Sequence, residues 1–251
     1  MDTSQSMNAS DVKPSRIEKA KSELNRLINN LKGDRVGIIA FAGTAHMHCP
    51  LTDEYSAAKL FLNMMNTDIV SSQGTDLAGS IRLALDHISQ DDNKFKVLLL
   101  ISDGEDHQGD AVKLAQEAKK MGIIIHTLGI GTLSGGPIPV FDKYGNRAEF
   151  KKDKNNKIIT STLNELILNE ISYSTGGKFI RVENQLNAIA PILDDLNKME
   201  KKEIKSHIFS QYEDRFQVFL LLGLLLLLFE FIIPTRTKKE IVWTSRFSKS
   251  S

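Results

Sequence analysis

The sequence is nearly without cysteine. Cys49 stands alone, which excludes an internal disulfide framework and any multi-thiolate zinc or iron–sulfur site. There is no charge surplus either. Against 32 Lys and Arg stand 31 Asp and Glu, a net +1, so no global field draws the chain to nucleic acid. Internal repeats and low-complexity tracts are absent, and 41% apolar with 25% charged residues excludes wholesale disorder. Two catalytic signatures are missing. No G-x-S-x-G elbow marks a serine hydrolase, and no G-x-x-x-x-G-K-S/T loop marks a nucleotide hydrolase. The opening DTSQSM has neither the basic nor the apolar region of a signal peptide.

What is present is an alternation of helix-like and strand-like segments. Ile17, Ala20, Leu24, Leu27, Ile28 and Leu31 recur at helical spacing and predict a helix over 11–34. Further helices are predicted over 55–65, 76–89, 110–121, 163–173 and 185–205. Short apolar runs at 35–42 and 96–102 predict buried strands, 123–130 a further strand, and 178–182 a final edge strand. Strand and helix in alternation imply a doubly wound, mostly parallel α/β sheet with ligands at the carboxyl ends of its strands. Gly135, Gly136, Pro137 and Pro139 break the pattern. With turn signals at Tyr144-Gly145-Asn146 and Asn155-Asn156, they predict a hairpin insertion over 137–160. The domain thus covers 1–182 and a charged helical connector 183–215. The run FQVFLLLGLLLLLFEFII at 216–233 is apolar all round. At about 27 Å of helix it predicts a transmembrane span, followed by a polar basic tail, 234–251.

Three polar clusters fall at strand or loop ends. They are Asp2-Thr3-Ser4-Gln5-Ser6, Gln73-Gly74-Thr75-Asp76 and Ser102-Asp103-Gly104-Glu105. Each is weak alone, since S-D-G is ordinary turn chemistry. Together they offer hard oxygen donors without thiolate or imidazole, a set that suits Mg²⁺ or Mn²⁺ rather than zinc or copper. Asp2 and Asp103 supply a charge of −2. A divalent ion there is neutralised and keeps room for an anionic ligand such as a partner's carboxylate.

D-x-S-x-S, then G-T-D, then S-D-G over this pattern resembles a von Willebrand factor A domain. The clusters resemble its metal-ion-dependent adhesion site, with Asp2, Ser4, Ser6, Thr75 and Asp103 at the five positions. The wording of DTSQSMNASDVKPSRIEKAK, LKGDRVGIIAFAG, PLTDEYSAAKLFL and QGTDL narrows the resemblance to the bacterial Bat family of aerotolerance operons, its B-type member above all. That resemblance implies a non-enzymatic, metal-dependent protein-binding module in the bacterial inner membrane, its A domain periplasmic. It also implies partners: other A-domain proteins, tetratricopeptide-repeat proteins and a MoxR-type AAA+ ATPase. In this fold D-x-S-x-S follows a central apolar strand, whereas here only Met1 precedes Asp2. An N-terminally truncated form is therefore expected, with the strand and upstream membrane helices lost.

A haloacid-dehalogenase-like phosphatase needs a second carboxylate two residues after the first, and position 4 is Ser4. A structural membrane scaffold with an unused metal site is the other alternative. His46 and His48 share a face without a third ligand, so a loop is expected there. His126 reads as a satisfied core histidine and Cys49 as a buried or rim residue; Glu105 and Asp106 read as solvated loop acids, with the alternative that one of them stands behind the metal ligands. Five basic residues on each side of the apolar run leave orientation undecided, while Arg236, Lys238 and Lys239 lean toward a cytoplasmic tail.

Overall fold

The computed structural model describes residues 1–70, 72–88, 95–106, 109–141, 147–185, 187–209 and 216–232. The chain divides into two compact units, Met1–Ile204 and Lys205–Ser251.

In the first unit, helix α1 occupies Arg16–Asn30, and Ser15 Oγ accepts a hydrogen bond from Glu18 N at 3.3 Å. That cap satisfies one of the amides a helix start leaves unpaired. The helix expected from residue 11 is thereby corrected. Pro14 holds Lys13 away from the helical region, and Asp11 lies ahead of the cap with its carboxylate on Arg16. Ser15→Ala is expected to cost about 1 kcal/mol, read as a lower urea midpoint at unchanged m-value. An unchanged midpoint would show the cap to be idle.

Strand β1 (Val36–Phe41) pairs antiparallel with β2 (Ala45–Thr52), in register Phe41↔Ala45 and Ala40↔His46. The loop expected around His46 and His48 is thus a strand, giving β1 a hydrogen-bonded partner. Helices α2 (Tyr55–Met64) and α3 (Leu77–His87) follow. Then come β3 (Lys96–Ser102), α4 (Ala111–Lys120) and β4 (Ile123–Ile130). The insertion is more than one hairpin. Strands β5 (Gly136–Pro137) and β8 (Thr160–Ser161) pair antiparallel, and inside them β6 (Pro139–Phe141) pairs with β7 (Arg147–Phe150). The turn expected at 155–156 forms, with Asp153 Oδ1 accepting from Asn155 N and Lys157 N. The turn expected at 144–146 lies outside the described residues. Helix α5 (Glu165–Thr175), strand β9 (Phe179–Val182) and helix α6 (Ala190–Phe209) complete the series.

Strands β3, β4 and β9 form a parallel sheet in the order β3-β4-β9. The nearly continuous apolar runs of β3 and β4 reflect cover on both faces. On one face Ile17, Ile28, Leu62, Leu128 and Ile192 gather under α1, α2 and α6. On the other, Leu77, Ile81, Leu114, Ile125 and Leu168 gather under α3, α4 and α5.

Met1–Thr3 lie between β1 and β3. Asp2 N donates to Ile101 O and Thr3 N to Phe41 O, both at 2.8 Å, while Phe41 N donates to Met1 O at 3.1 Å. Asp2 is bridged in parallel to Phe41. These backbone bonds join the β1–β2 pair to the parallel sheet. Beyond them, between the facing edges of β1 and β3, runs a cavity of about 520 Å³ lined by Met1, Ile38, Ile39, Val97, Leu99 and Ile101.

In the second unit, α7 (Phe216–Ile232) is a 17-residue apolar helix. Among the described residues no helix is long and apolar enough to cross a membrane. The tail expected over 234–251, with its basic residues, lies outside the described residues.

Candidate metal centre

The first polar cluster is held by backbone on both sides. Asp2 is fully buried. Its Oδ1 accepts from Ser4 N at 2.8 Å and its Oδ2 from Ser102 Oγ at 2.6 Å. A short 3₁₀ turn over Gln5–Asn8 brings Ser6 back beside Ser4, their hydroxyl oxygens 2.9 Å apart. Ser102 ends β3, and Asp103 follows it, also fully buried. Asp103 Oδ1 accepts from Glu105 N at 3.2 Å, and Oδ2 accepts from Arg16 Nη1 at 2.9 Å. Gly104 turns the chain with φ +78°, and a Cβ there would run into the Asn164 carbonyl. Only glycine meets both demands.

Thr75, 2% exposed, precedes α3. Asp76 caps that helix, its Oδ1 accepting from Gly79 N at 2.7 Å, and Asp76 N donates to Ala42 O at 2.8 Å. The G-T-D loop therefore docks on the end of β1, whose Phe41 carbonyl also holds Thr3. The structure thus brings Asp2, Ser4, Ser6 and Asp103 to one rim at the carboxyl ends of the strands, and sets the Thr75 loop beside it.

The rim sets two buried carboxylates close enough for their charges to interact. Burial, then the negative charge of Asp103, pushes the Asp2 carboxyl up from the ordinary 3.8 to about 7, against the hydrogen bonds from Ser102 and Ser4. Hydroxyls and carboxylates in that setting fit a hard divalent ion. Among the described residues no three His, Cys, Asp or Glu side chains cluster as a metal site would, so the donor set rests on two carboxylates and the hydroxyls.

Four residues at the rim escape the sequence reading of the ligand set. The Arg16 side chain is fully buried. Its Nε donates to Asp11 Oδ1 and its Nη2 to Asp11 Oδ2, each at 2.8 Å. Asp11 also accepts from Thr132 N at 2.8 Å, and these partners hold its carboxyl below the ordinary range despite its partial burial. Ser161 Oγ donates to Glu105 Oε1 at 2.8 Å. Glu105 is half-buried and bonded to Ser161, so of its two readings the structure favours the one behind the rim over a solvated loop acid. No local spacing announces this group, because Ser161 lies 58 residues from Asp103.

The remaining candidates find other places. His46 Nε2 lies 3.0 Å from Thr44 Oγ1, and His48 Nε2 lies 2.9 Å from the Phe61 carbonyl, so each ring has its own partner. Cys49 is buried, and burial pushes its thiol up. His126 is buried in β4 with Nδ1 accepting from Lys178 N at 3.1 Å, but among the described residues Nε2 has no hydrogen-bond partner. The core histidine is only half satisfied, and burial lowers its pKa.

This doubly wound fold is that of a von Willebrand factor type A domain, whose family model matches residues 1–105. The crystal structure of the conserved hypothetical protein BatB from Bacteroides thetaiotaomicron matches with TM-score 0.75 at 38% identity, over 80% of this chain and 96% of that one. An aerotolerance-related membrane protein from Bacteroides fragilis, crystallised with multiple mutations to serines, matches with TM-score 0.72 at 34% identity, over 80% and 96% of the two chains. The chain belongs to the Bat family of A-domain proteins. An uncharacterized protein of Borreliella burgdorferi is 27% identical over 96% of this chain and 69% of its own length. UPF0353 proteins of Nocardia farcinica and of a Mycobacterium species, each 28% identical, are matched over 61% and 49% of their lengths.

Proposed function

We propose that the chain is a membrane-anchored, metal-dependent protein-binding module. Mg²⁺ or Mn²⁺ sits among Asp2, Ser4, Ser6, Thr75 and Asp103, and an acidic group of a partner protein completes its coordination. The observation that carries this reading is the pair of fully buried carboxylates, Asp2 and Asp103, repelling each other at a rim rich in hydroxyls. A divalent ion relieves that repulsion. Arg16 relieves only part of it, because its single buried guanidinium is shared between Asp11 and Asp103.

The chain's own groups bind and orient. Ser102 and Ser4 N aim the Asp2 carboxylate, and Ser4 and Ser6 present adjacent hydroxyls. The position two residues after Asp2 is Ser4, a hydroxyl that cannot serve as a general acid near pH 7. Binding is therefore favoured over phosphatase chemistry. The exposed leucines of α7, Leu220–Leu222 and Leu224–Leu228, form a surface that water does not favour. With Ile233 added, that run is the proposed anchor in the bacterial inner membrane, the A domain on the periplasmic side. Family resemblance proposes the partner classes: other A-domain proteins, tetratricopeptide-repeat proteins and a MoxR-type AAA+ ATPase, in an assembly or stress-related complex.

Calorimetric titration of Mg²⁺ and Mn²⁺ into the detergent-solubilised chain tests the reading. Saturable binding is expected that is lost in Asp103→Ala and weakened at least about tenfold in Thr75→Ala. Absence of binding at millimolar ion, or equal binding by Asp103→Ala, would overturn it.

A further inference from the structure

We propose that Arg16 is a positioning residue that ties the ion site to the 136–161 insertion, so that ion capture by Asp103 tightens the insertion. The inference rests on reading the rim as an ion site.

A guanidinium has five N–H donors in a rigid fork, and all five of Arg16 are used. Nε and one Nη2 hydrogen hold the Asp11 carboxylate. The other Nη2 hydrogen reaches the Ser161 carbonyl at 2.9 Å. Nη1 donates to Asp103 Oδ2 at 2.9 Å and to Ser161 Oγ at 2.8 Å. One side chain thus holds a proposed ion ligand and the closing residue of the insertion at once. Asn164 N strengthens the tie by donating to Asp103 O at 2.8 Å.

A second strut approaches from the other side. Lys151 Nζ, in the insertion, donates at 2.7 Å to Oε1 of Gln5, which sits between Ser4 and Ser6. The insertion is therefore bonded to both halves of the rim. An ion that fixes the Asp103 carboxylate fixes the Arg16 fork, and the fork fixes Ser161. The surface so ordered carries exposed Lys152, Lys154 and Lys157 beside Phe141 and Ile158. A lysine at position 16 keeps the charge but cannot span Asp11, Asp103 and Ser161 together.

The test is hydrogen–deuterium exchange of the full chain in detergent, with and without Mn²⁺, alongside Mn²⁺ calorimetry. In the wild type, Mn²⁺ is expected to slow exchange across 147–164 about tenfold. In Arg16→Lys that slowing should vanish and Mn²⁺ affinity should fall about tenfold. A merely structural role would shift ion-free exchange and melting but leave the Mn²⁺-dependent difference intact. Should Arg16→Lys fail to fold, Ser161→Ala keeps the bond from Arg16 to the backbone and is expected to lose most of the slowing. Mn²⁺ binding without slowing over 147–164 in the wild type would overturn the coupling while leaving the ion site standing. Full slowing in both variants would overturn it as well. Failure of the wild type to bind Mn²⁺ would overturn the ion reading and the coupling with it.

Discussion

Arg16→Met is expected to be among the most destabilising single substitutions in the first unit, at about 3–5 kcal/mol. For a unit of this size that is a melting temperature lower by roughly 10 °C. The cost is not the loss of an attraction alone. Methionine leaves the Asp11 and Asp103 carboxylates without their guanidinium, in a place where Asp103 has no contact with solvent. An uncompensated buried charge is costlier than a missing bond. Arg16→Met combined with Asp11→Leu should therefore recover part of the loss, because one orphaned charge is removed with the other. Thermal melts of the wild type, the single and the double variant measure this. A single variant melting within about 2 °C of the wild type would show that the network contributes little.

The second large effect is pH dependence. The folded-state pKa of Asp2, about 7, lies above the ordinary 3.8. Between those values the native chain holds a proton that the unfolded chain has lost, so stability falls as pH rises through that window. An ion must displace the same proton. Mn²⁺ affinity is therefore expected to rise with pH, by close to tenfold per unit below about 7, and to level off above it. Mn²⁺ should raise the melting temperature more at pH 8 than at pH 5. Asp2→Asn, which carries no titrating carboxyl, should flatten the stability profile over the window and bind Mn²⁺ poorly at every pH. Calorimetry and melts from pH 4.5 to 8.5 read both effects. A Mn²⁺ affinity independent of pH would remove Asp2 from the site.

Much of the fold is legible because it depends on short-range pattern. The runs KVLLLIS and IIIHTLGI are too short for helices and too apolar to face water, so they form adjacent parallel strands. The spacing of Ile17, Ala20, Leu27 and Ile28 predicts the buried face of α1. The helix start at Arg16 was less legible, since the competing signals of Pro14, Ser15 and Asp11 are resolved only by the cap and the turn of Asp11 onto Arg16. Strand β2 was missed because AHMHCPLT has no clean alternation, and its structure comes from pairing with β1.

The same division holds at the rim. The sequence by itself determined the donor chemistry. Asp2, Ser4, Ser6, Thr75 and Asp103 are recognisable because each sits at a strand or loop end, where backbone geometry fixes a side chain locally. It also determined the apolar character of 216–233, which composition alone sets. Only the tertiary structure decided what surrounds those donors. Arg16, Asp11, Glu105 and Ser161 meet across separations as long as 145 residues, and no local periodicity encodes a meeting at that distance. Burial and charge then act between the groups so assembled, and they lift Asp2 toward neutral pH. Local rules place the candidate donors, whereas the long-range packing of the sheet sets their charge, their aim and their connection to the insertion.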